Sequence, residues 1–340
     1  MGDQDPMAEW HLTNLSLGLK IAYGVIASLG IIGNGLVIYV LTHMVKLRKG
    51  NVNILIVNQS IIDLVTSILL ILCFLTPEPD LPASSPVAAR FLCSVWNSKY
   101  LFWATIITSS LNLVCLTCER YFAIVYPFKY RSCSILEWPK SLLLACLPWV
   151  VGYTYQSYYA AMHIVQDGRC VVNEFSSRGA QIVYAIFILT VTYLFPLTFM
   201  IIAYARIYKT LRDELICHIP SGNSRNKTNH EQLMEKNNER TRRNIIKTLL
   251  LVSLVFGVCW ALNEVCYFYF NVSGTTHINE TLYNVSVCLA FFNMCANPII
   301  YTFKYRRFQE GLRQALPCLR RTEMTPTTPT TSHQSPEVSV

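Results

Sequence analysis

The chain has 340 residues, of which 52% are apolar and only 14% charged, against roughly 25% charged in an ordinary soluble domain. Its formal net charge is +8, and that charge is confined to the segments between long uncharged runs. This pattern excludes a soluble enzyme, a nucleic-acid binder and a disordered chain, and predicts an all-α membrane protein.

Residues 1–16 are polar and acidic, with no apolar stretch of the kind a cleavable leader needs. Seven stretches then approach the ~20 residues that a helix needs to cross a bilayer. Their predicted bounds are 17–45, 51–77, 91–124, 139–162, 179–212, 240–270 and 281–303. The second and sixth are each interrupted by one acid, Asp63 and Glu264. Residues 304–318 place Tyr305, Phe308, Leu312 and Leu316 at helical spacing among basic residues, which predicts a helix lying along the membrane surface, basic side toward lipid headgroups. Residues 319–340 are rich in Thr, Ser and Pro and are expected to be a disordered tail. No internal repeat marks an inverted-repeat transporter.

Of the 28 Lys and Arg, all but Lys20, Arg90, Lys99, Arg169 and Arg178 fall on one side of a seven-span arrangement. The excess of Lys and Arg in cytoplasmic loops places the N-terminus outside and the tail inside, as in a multi-pass plasma-membrane protein. Sequons at Asn14, Asn271 and Asn279 lie on the expected outer side, whereas those at Asn58 and Asn226 do not. Most of the 13 cysteines sit in apolar runs or on the reducing side. Cys93 and Cys170 alone lie at the expected outer face and are the natural disulfide pair. Cys318, just after the surface helix, is a palmitoylation candidate or a plain tail cysteine.

Polar residues within spans are costly and are functional suspects. In order, the spans carry Gly33-Asn34, Asn58 and Asp63, Ser109 with Glu119-Arg120-Tyr121, and Trp149. The later ones carry Pro196 with Tyr204, Phe256 with Cys259-Trp260, and Asn293 with Asn297-Pro298-Ile-Ile-Tyr301. This set, in this order, resembles the rhodopsin-like (class A) G-protein-coupled receptors from Leu17 to about Leu316. The resemblance implies no enzyme activity and no organic cofactor, but a receptor that promotes nucleotide exchange on a heterotrimeric G protein. It implies that Asp63, Ser109, Asn293 and Asn297 form a hard-oxygen pocket for a sodium ion beneath Trp260. The alternative is a neutral Asp63 hydrogen-bonded to the asparagines. Glu119, Arg120, Tyr121, Phe128, Tyr204 and Tyr301 would serve G-protein coupling, with Glu119 holding Arg120 at rest. Arg240, Arg242 and Arg243 stand where an acid would be needed to lock Arg120 from the sixth helix, which favours some ligand-free signalling. Phe256, Trp260, Pro196 and Pro298 would form the switch. Arrestin and a kinase would meet the Ser/Thr-rich tail.

Two departures from the pattern raise specific expectations. Leu262 replaces the usual proline of the sixth helix, which puts its kink in doubt. Cys93 stands 27 residues before Arg120, about two more than usual, which predicts irregularity at the top of the third helix. On the outer side, Phe102 occupies the position where an amine receptor would carry an aspartate, and Phe291 the place of a retinal lysine. Phe102, Trp103, Gln156, Asn263, Glu264, Tyr267 and Tyr283 then outline a broad aromatic ligand pocket suited to a peptide. The general character is closest to galanin, allatostatin and somatostatin receptors. Glu264 can meet a ligand's amine or arginine, pair with Lys99, or be satisfied as an acid by Asn263. The competing readings are a channel or transporter, for which a polar stripe along several helices would be needed, and a receptor for a lipid or other non-peptide ligand.

Overall fold

The computed structural model describes residues 16–44, 51–132, 138–173, 175–217, 229–273 and 279–315. Asn14, Cys318 and the tail lie outside the described residues. The described residues form a bundle of seven long helical rods with one short hairpin. The first rod is α1, Leu17–Tyr39, extended by a π-helical turn at Val40–Met44, and α2 spans Asn51–Phe74. The third begins as α3, Pro86–Phe91, continues through a π turn at Leu92–Asn97, and resumes as α4, Tyr100–Val125. After the short α5, Pro127–Ser132, come α6, Trp138–Met162, and the hairpin β1, His163–Gln166, with β2, Arg169–Val172. The fifth rod is α7, Arg178–Leu189, joined by a π turn at Thr190–Leu194 to α8, Phe195–Cys217. The sixth is α9, Asn229–Ser273, the seventh α10, Glu280–Lys304, and α11, Arg306–Ala315, closes the described chain.

Six of these rods are long and apolar enough to cross a membrane by length and composition. The remaining rod, α6, also has 25 residues, enough for ~37 Å of helix. Its second half carries Tyr153, Tyr155, Gln156, Tyr158 and Tyr159, which lowers its apolar content.

Local chemistry sets the helix starts. The Ser16, Ser85 and Ser177 hydroxyls and the Asn279 side chain each accept a hydrogen bond from the backbone N–H three residues on, at 3.1–3.4 Å. These side-chain caps satisfy donors that a helix start leaves free. Irregularity at the top of the third rod is present and has a clear form. Lys99 adopts a left-handed backbone, φ 58°, between the π turn and α4. The Ser98 hydroxyl bridges this break, donating to the Ser94 carbonyl at 2.5 Å and accepting from the Tyr100 N–H at 3.1 Å.

The hairpin turns at Asp167-Gly168, both with positive φ, as a tight two-residue turn requires. Its register sets Val165 opposite Cys170. Cys170 is disulfide-bonded to Cys93 with 5.3 Å between Cα atoms, so the strand pair is tied over the third rod. At the other end of the bundle, Tyr305 and Phe308 are buried against the core and the polar side of α11 faces out. The sixth rod is a continuous α-helix through Leu262. In the seventh, Pro298 lies so close to α1 that a Cβ on Gly33 would come within 2.9 Å of it.

Candidate functional site

At the α11 end of the bundle, Glu119 and Arg120 form a two-pronged ion pair, with Nε and Nη2 of the arginine each donating to a carboxylate oxygen. The Tyr130 hydroxyl of α5 donates to the same carboxylate. Glu119 is buried and the arginine side chain is 14% exposed, so Arg120 is held rather than displayed. Tyr204 and Tyr301 are both buried nearby in the core. The Tyr301 hydroxyl has no hydrogen-bond partner among the described residues, whereas Tyr305 donates to Asn53 at 2.6 Å. Phe128 projects outward, 85% exposed, and Tyr121 sits edge-on to Tyr126 at 5.9 Å.

Midway along the bundle, a small cavity is lined by Asp63, Thr66, Ile106, Ser109, Phe256, Trp260, Ala290, Asn293 and Met294. Ser109 donates to Asp63 Oδ1 at 3.1 Å and Asn297 donates to Oδ2 at 2.7 Å. A carboxylate, a hydroxyl and an amide around a small space are the hard donors a sodium ion takes, so three of the four expected residues fit such an ion. Asn297 differs, because its nitrogen faces the carboxylate and supports it as a donor. Gln59 also reaches the site, donating to Asp63 Oδ1 at 3.0 Å. It lies one turn before Asp63 on the same helix face, the spacing by which it could have been found.

Of the switch residues, Phe256 is buried beneath Trp260 and Pro196 follows the π turn of the fifth rod. Pro196 lacks an N–H to donate back, and the adjacent π turn is one of the usual sites of a helix bend. Tyr193, a residue the motifs did not single out, donates from that turn to the Gly257 carbonyl at 2.9 Å. It thereby ties the fifth rod to the sixth directly above Phe256.

Nearer the disulfide end, Glu264 is 8% exposed and accepts a hydrogen bond from Thr192 at 3.0 Å. Neither alternative partner expected for it is used. Lys99 instead forms an ion pair with Glu78, and Asn263 donates to Ser286 at 3.4 Å. Tyr155, Tyr193 and Tyr267 lie within electrostatic reach of Glu264. Tyr159 and Tyr184 extend this aromatic group through Tyr267. Trp103, Gln156, Asn263, Tyr267 and Tyr283 are all partly accessible.

Two expectations need correction. Phe102 does not line a pocket: it is fully enclosed by Phe74, Trp103 and Phe291, with ring centroids 4.9–5.3 Å away. Asn271 is an unsuitable glycan acceptor because α9 continues past it and buries it to 1% exposure. Its nitrogen, the atom a sugar would take, donates to the Tyr267 carbonyl at 2.9 Å, and its oxygen accepts from Gln181 at 3.2 Å. Asn279, by contrast, is exposed.

Residues 33–301 match the model of the 7 transmembrane receptor (rhodopsin family), and the chain belongs to that family. It is therefore a multi-pass membrane receptor and not an enzyme. It is 26% identical to galanin receptor 2b of Danio rerio over 333 residues, covering 94% of this chain and 80% of that one. It is 27% identical to the pyroglutamylated RF-amide peptide receptor of Rattus norvegicus over 319 residues, covering 88% and 70%. It is also 26% identical to octopamine receptor beta-2R of Drosophila melanogaster over 270 residues, covering 67% and 48%.

Proposed function

We propose that this receptor captures a peptide at the disulfide end of the bundle and activates a heterotrimeric G protein at the Arg120 end. The observation that carries this reading is the separation of two sites toward opposite ends of one bundle. One is a buried carboxylate, Glu264, with a single hydrogen-bond donor among the described residues and Tyr155, Tyr193 and Tyr267 around it. The other is an arginine held in reserve by Glu119 and Tyr130. A peptide amine or guanidinium supplies what Glu264 lacks. The tyrosines offer ring faces that attract such a cation. Relatives named for galanin and RF-amide peptides favour a peptide over an amine, as does the absence of an acid at Phe102.

Binding would act on Trp260 and Phe256 and, through the π turn before Pro196 and through Pro298 in the seventh, shift the fifth to seventh rods. Freed from Glu119, Arg120 then meets the G protein, with exposed Phe128 giving it an apolar foothold and Tyr204 and Tyr301 closing behind. Asp63, Ser109 and Asn293 would hold a sodium ion, whose positive charge would favour the resting arrangement. The positive charge of the Arg120 end sets the N-terminus outside and the tail in the cytoplasm, at the plasma membrane. The disulfide at the opposite end fits an oxidising exterior. The tail offers Ser and Thr for a kinase and arrestin, and α11 offers arginines to anionic lipid.

The test is a screen of galanin, RF-amide and other neuropeptides on cells expressing the chain, read as guanine-nucleotide exchange. At least one peptide is expected to drive exchange dependent on this chain. Activation only by lipids or small amines would contradict the peptide reading.

A further inference from the structure

Amide side chains look alike at their two ends, and which end is nitrogen must be read from their partners. Around Asp63 the partners decide every case. The Trp149 indole can only donate, so Asn58 turns its oxygen toward it at 3.0 Å. Asn58 then donates to the Ala145 carbonyl at 3.0 Å and to Asn112 Oδ1 at 2.8 Å. Asn112 in turn donates to the Leu55 carbonyl at 3.1 Å and to Gln59 Oε1 at 2.9 Å. Gln59 is left with its nitrogen toward Ser109 Oγ at 2.5 Å and Asp63 Oδ1 at 3.0 Å.

Two backbone carbonyls and one indole, none able to reverse roles, therefore orient the whole chain of amides. What it presents to Asp63 is always an N–H. Gln59 and Asn112 are fully buried and Ser109 nearly so, which keeps bulk solvent from competing for the amide bonds. Rotating Gln59 to offer its oxygen would set its nitrogen against the Asn112 nitrogen and break that contact.

The geometry points to Gln59 as a built-in competitor of the sodium ion proposed above. Its amide, held by Asn112 and Asn58, occupies the Asp63 oxygen on the Ser109 side and keeps the affinity of the site for a cation low. This rests on the sodium reading of the Asp63 cavity. A cation held by Asp63 and Ser109 would compete with the amide for the lone pairs of those oxygens, and weakening its bonds would leave a buried donor under-served. Without the Gln59 N–H that cost disappears.

The decisive experiment follows thermal unfolding of the purified, ligand-free receptor as sodium chloride replaces N-methylglucamine chloride at constant ionic strength. Gln59→Met keeps the volume and loses the donor. Its sodium midpoint is expected about tenfold below that of the wild type, the scale of one hydrogen bond to a charged group. Asn112→Ala, which frees Gln59 to turn away, is expected to lower the midpoint as well and gives a second, independent route to the same result. Asp63→Asn is expected to show no sodium-specific shift. Equal midpoints in wild type, Gln59→Met and Asn112→Ala would overturn the competitor role and leave the sodium reading intact. No sodium-specific shift in any of them would overturn both.

Discussion

Among the described residues three carboxylates lie buried in the bundle; Glu119 is paired with Arg120, and the other two are treated in opposite ways. Asp63 receives donors from three helices: Gln59 of α2, Ser109 of α4 and Asn297 of α10. Among the described residues Glu264 of α9 receives one, from a Thr192 hydroxyl that also donates to the Ile188 carbonyl at 2.9 Å. A hydroxyl has a single hydrogen, so even that bond is shared. Beside Glu264, the Tyr155 hydroxyl is buried without a hydrogen-bond partner among the described residues. Unmade hydrogen bonds are expensive in a low-dielectric interior. Asp63 is thus tied into the packing of three helices, whereas Glu264 keeps the unsatisfied acceptor capacity on which the proposed capture of a ligand rests.

The largest expected difference is in stability. Asp63→Ala leaves three buried donors unserved and is expected to cost about 3 kcal/mol or more. Glu264→Ala strands only a hydroxyl with another acceptor and is expected to cost within about 1 kcal/mol. Comparable losses in unfolding temperature would break the contrast. In ligand binding the order reverses. Glu264→Gln is expected to weaken an agonist bearing a basic group by about tenfold or more, as expected for a buried charge pair. Asp63→Asn is expected to leave affinity unchanged in sodium-free buffer, which radioligand displacement on both variants checks. The smallest pair concerns neighbours. Trp149→Phe removes the N–H that anchors Asn58 and is expected to cost about 1 kcal/mol. Tyr155→Phe removes a hydroxyl with no hydrogen-bond partner among the described residues and is expected to stay within about 0.5 kcal/mol or to stabilise. Equal shifts for these two in thermal unfolding would show that the Asp63 network is no more coupled than the Glu264 surroundings.

The helical membrane class was legible in the sequence because apolar runs of bilayer length need no tertiary information to read. The Cys93–Cys170 pair was legible for a related reason, since topology left only those two on one face. Asp63, Ser109, Asn293 and Asn297 stood out as polar residues in apolar surroundings, and the fold brings them together. Gln59 and Asn112 carry the same polarity at helical spacing from Asp63 and Ser109. Their roles depend on which way an amide turns, which only the packed neighbours Leu55, Ala145 and Trp149 determine. Phe102 appeared as a pocket residue because its enclosure is the work of Phe74 and Phe291, distant in sequence. Lys99 pairs with Glu78 rather than Glu264 at a left-handed kink to which only the altered Cys93 spacing gave a clue. Tyr130, on a short loop helix, had no local signal at all.

The central claim is that ligand capture and G-protein activation reside at opposite ends of one bundle, joined through Arg120. Its most direct test measures agonist-driven guanine-nucleotide exchange and agonist binding together, on wild type and Arg120→Ala at matched receptor density. The expected result is unchanged binding with exchange reduced at least about tenfold, the scale set by losing a central arginine contact. Full agonist-driven exchange by Arg120→Ala would contradict the account.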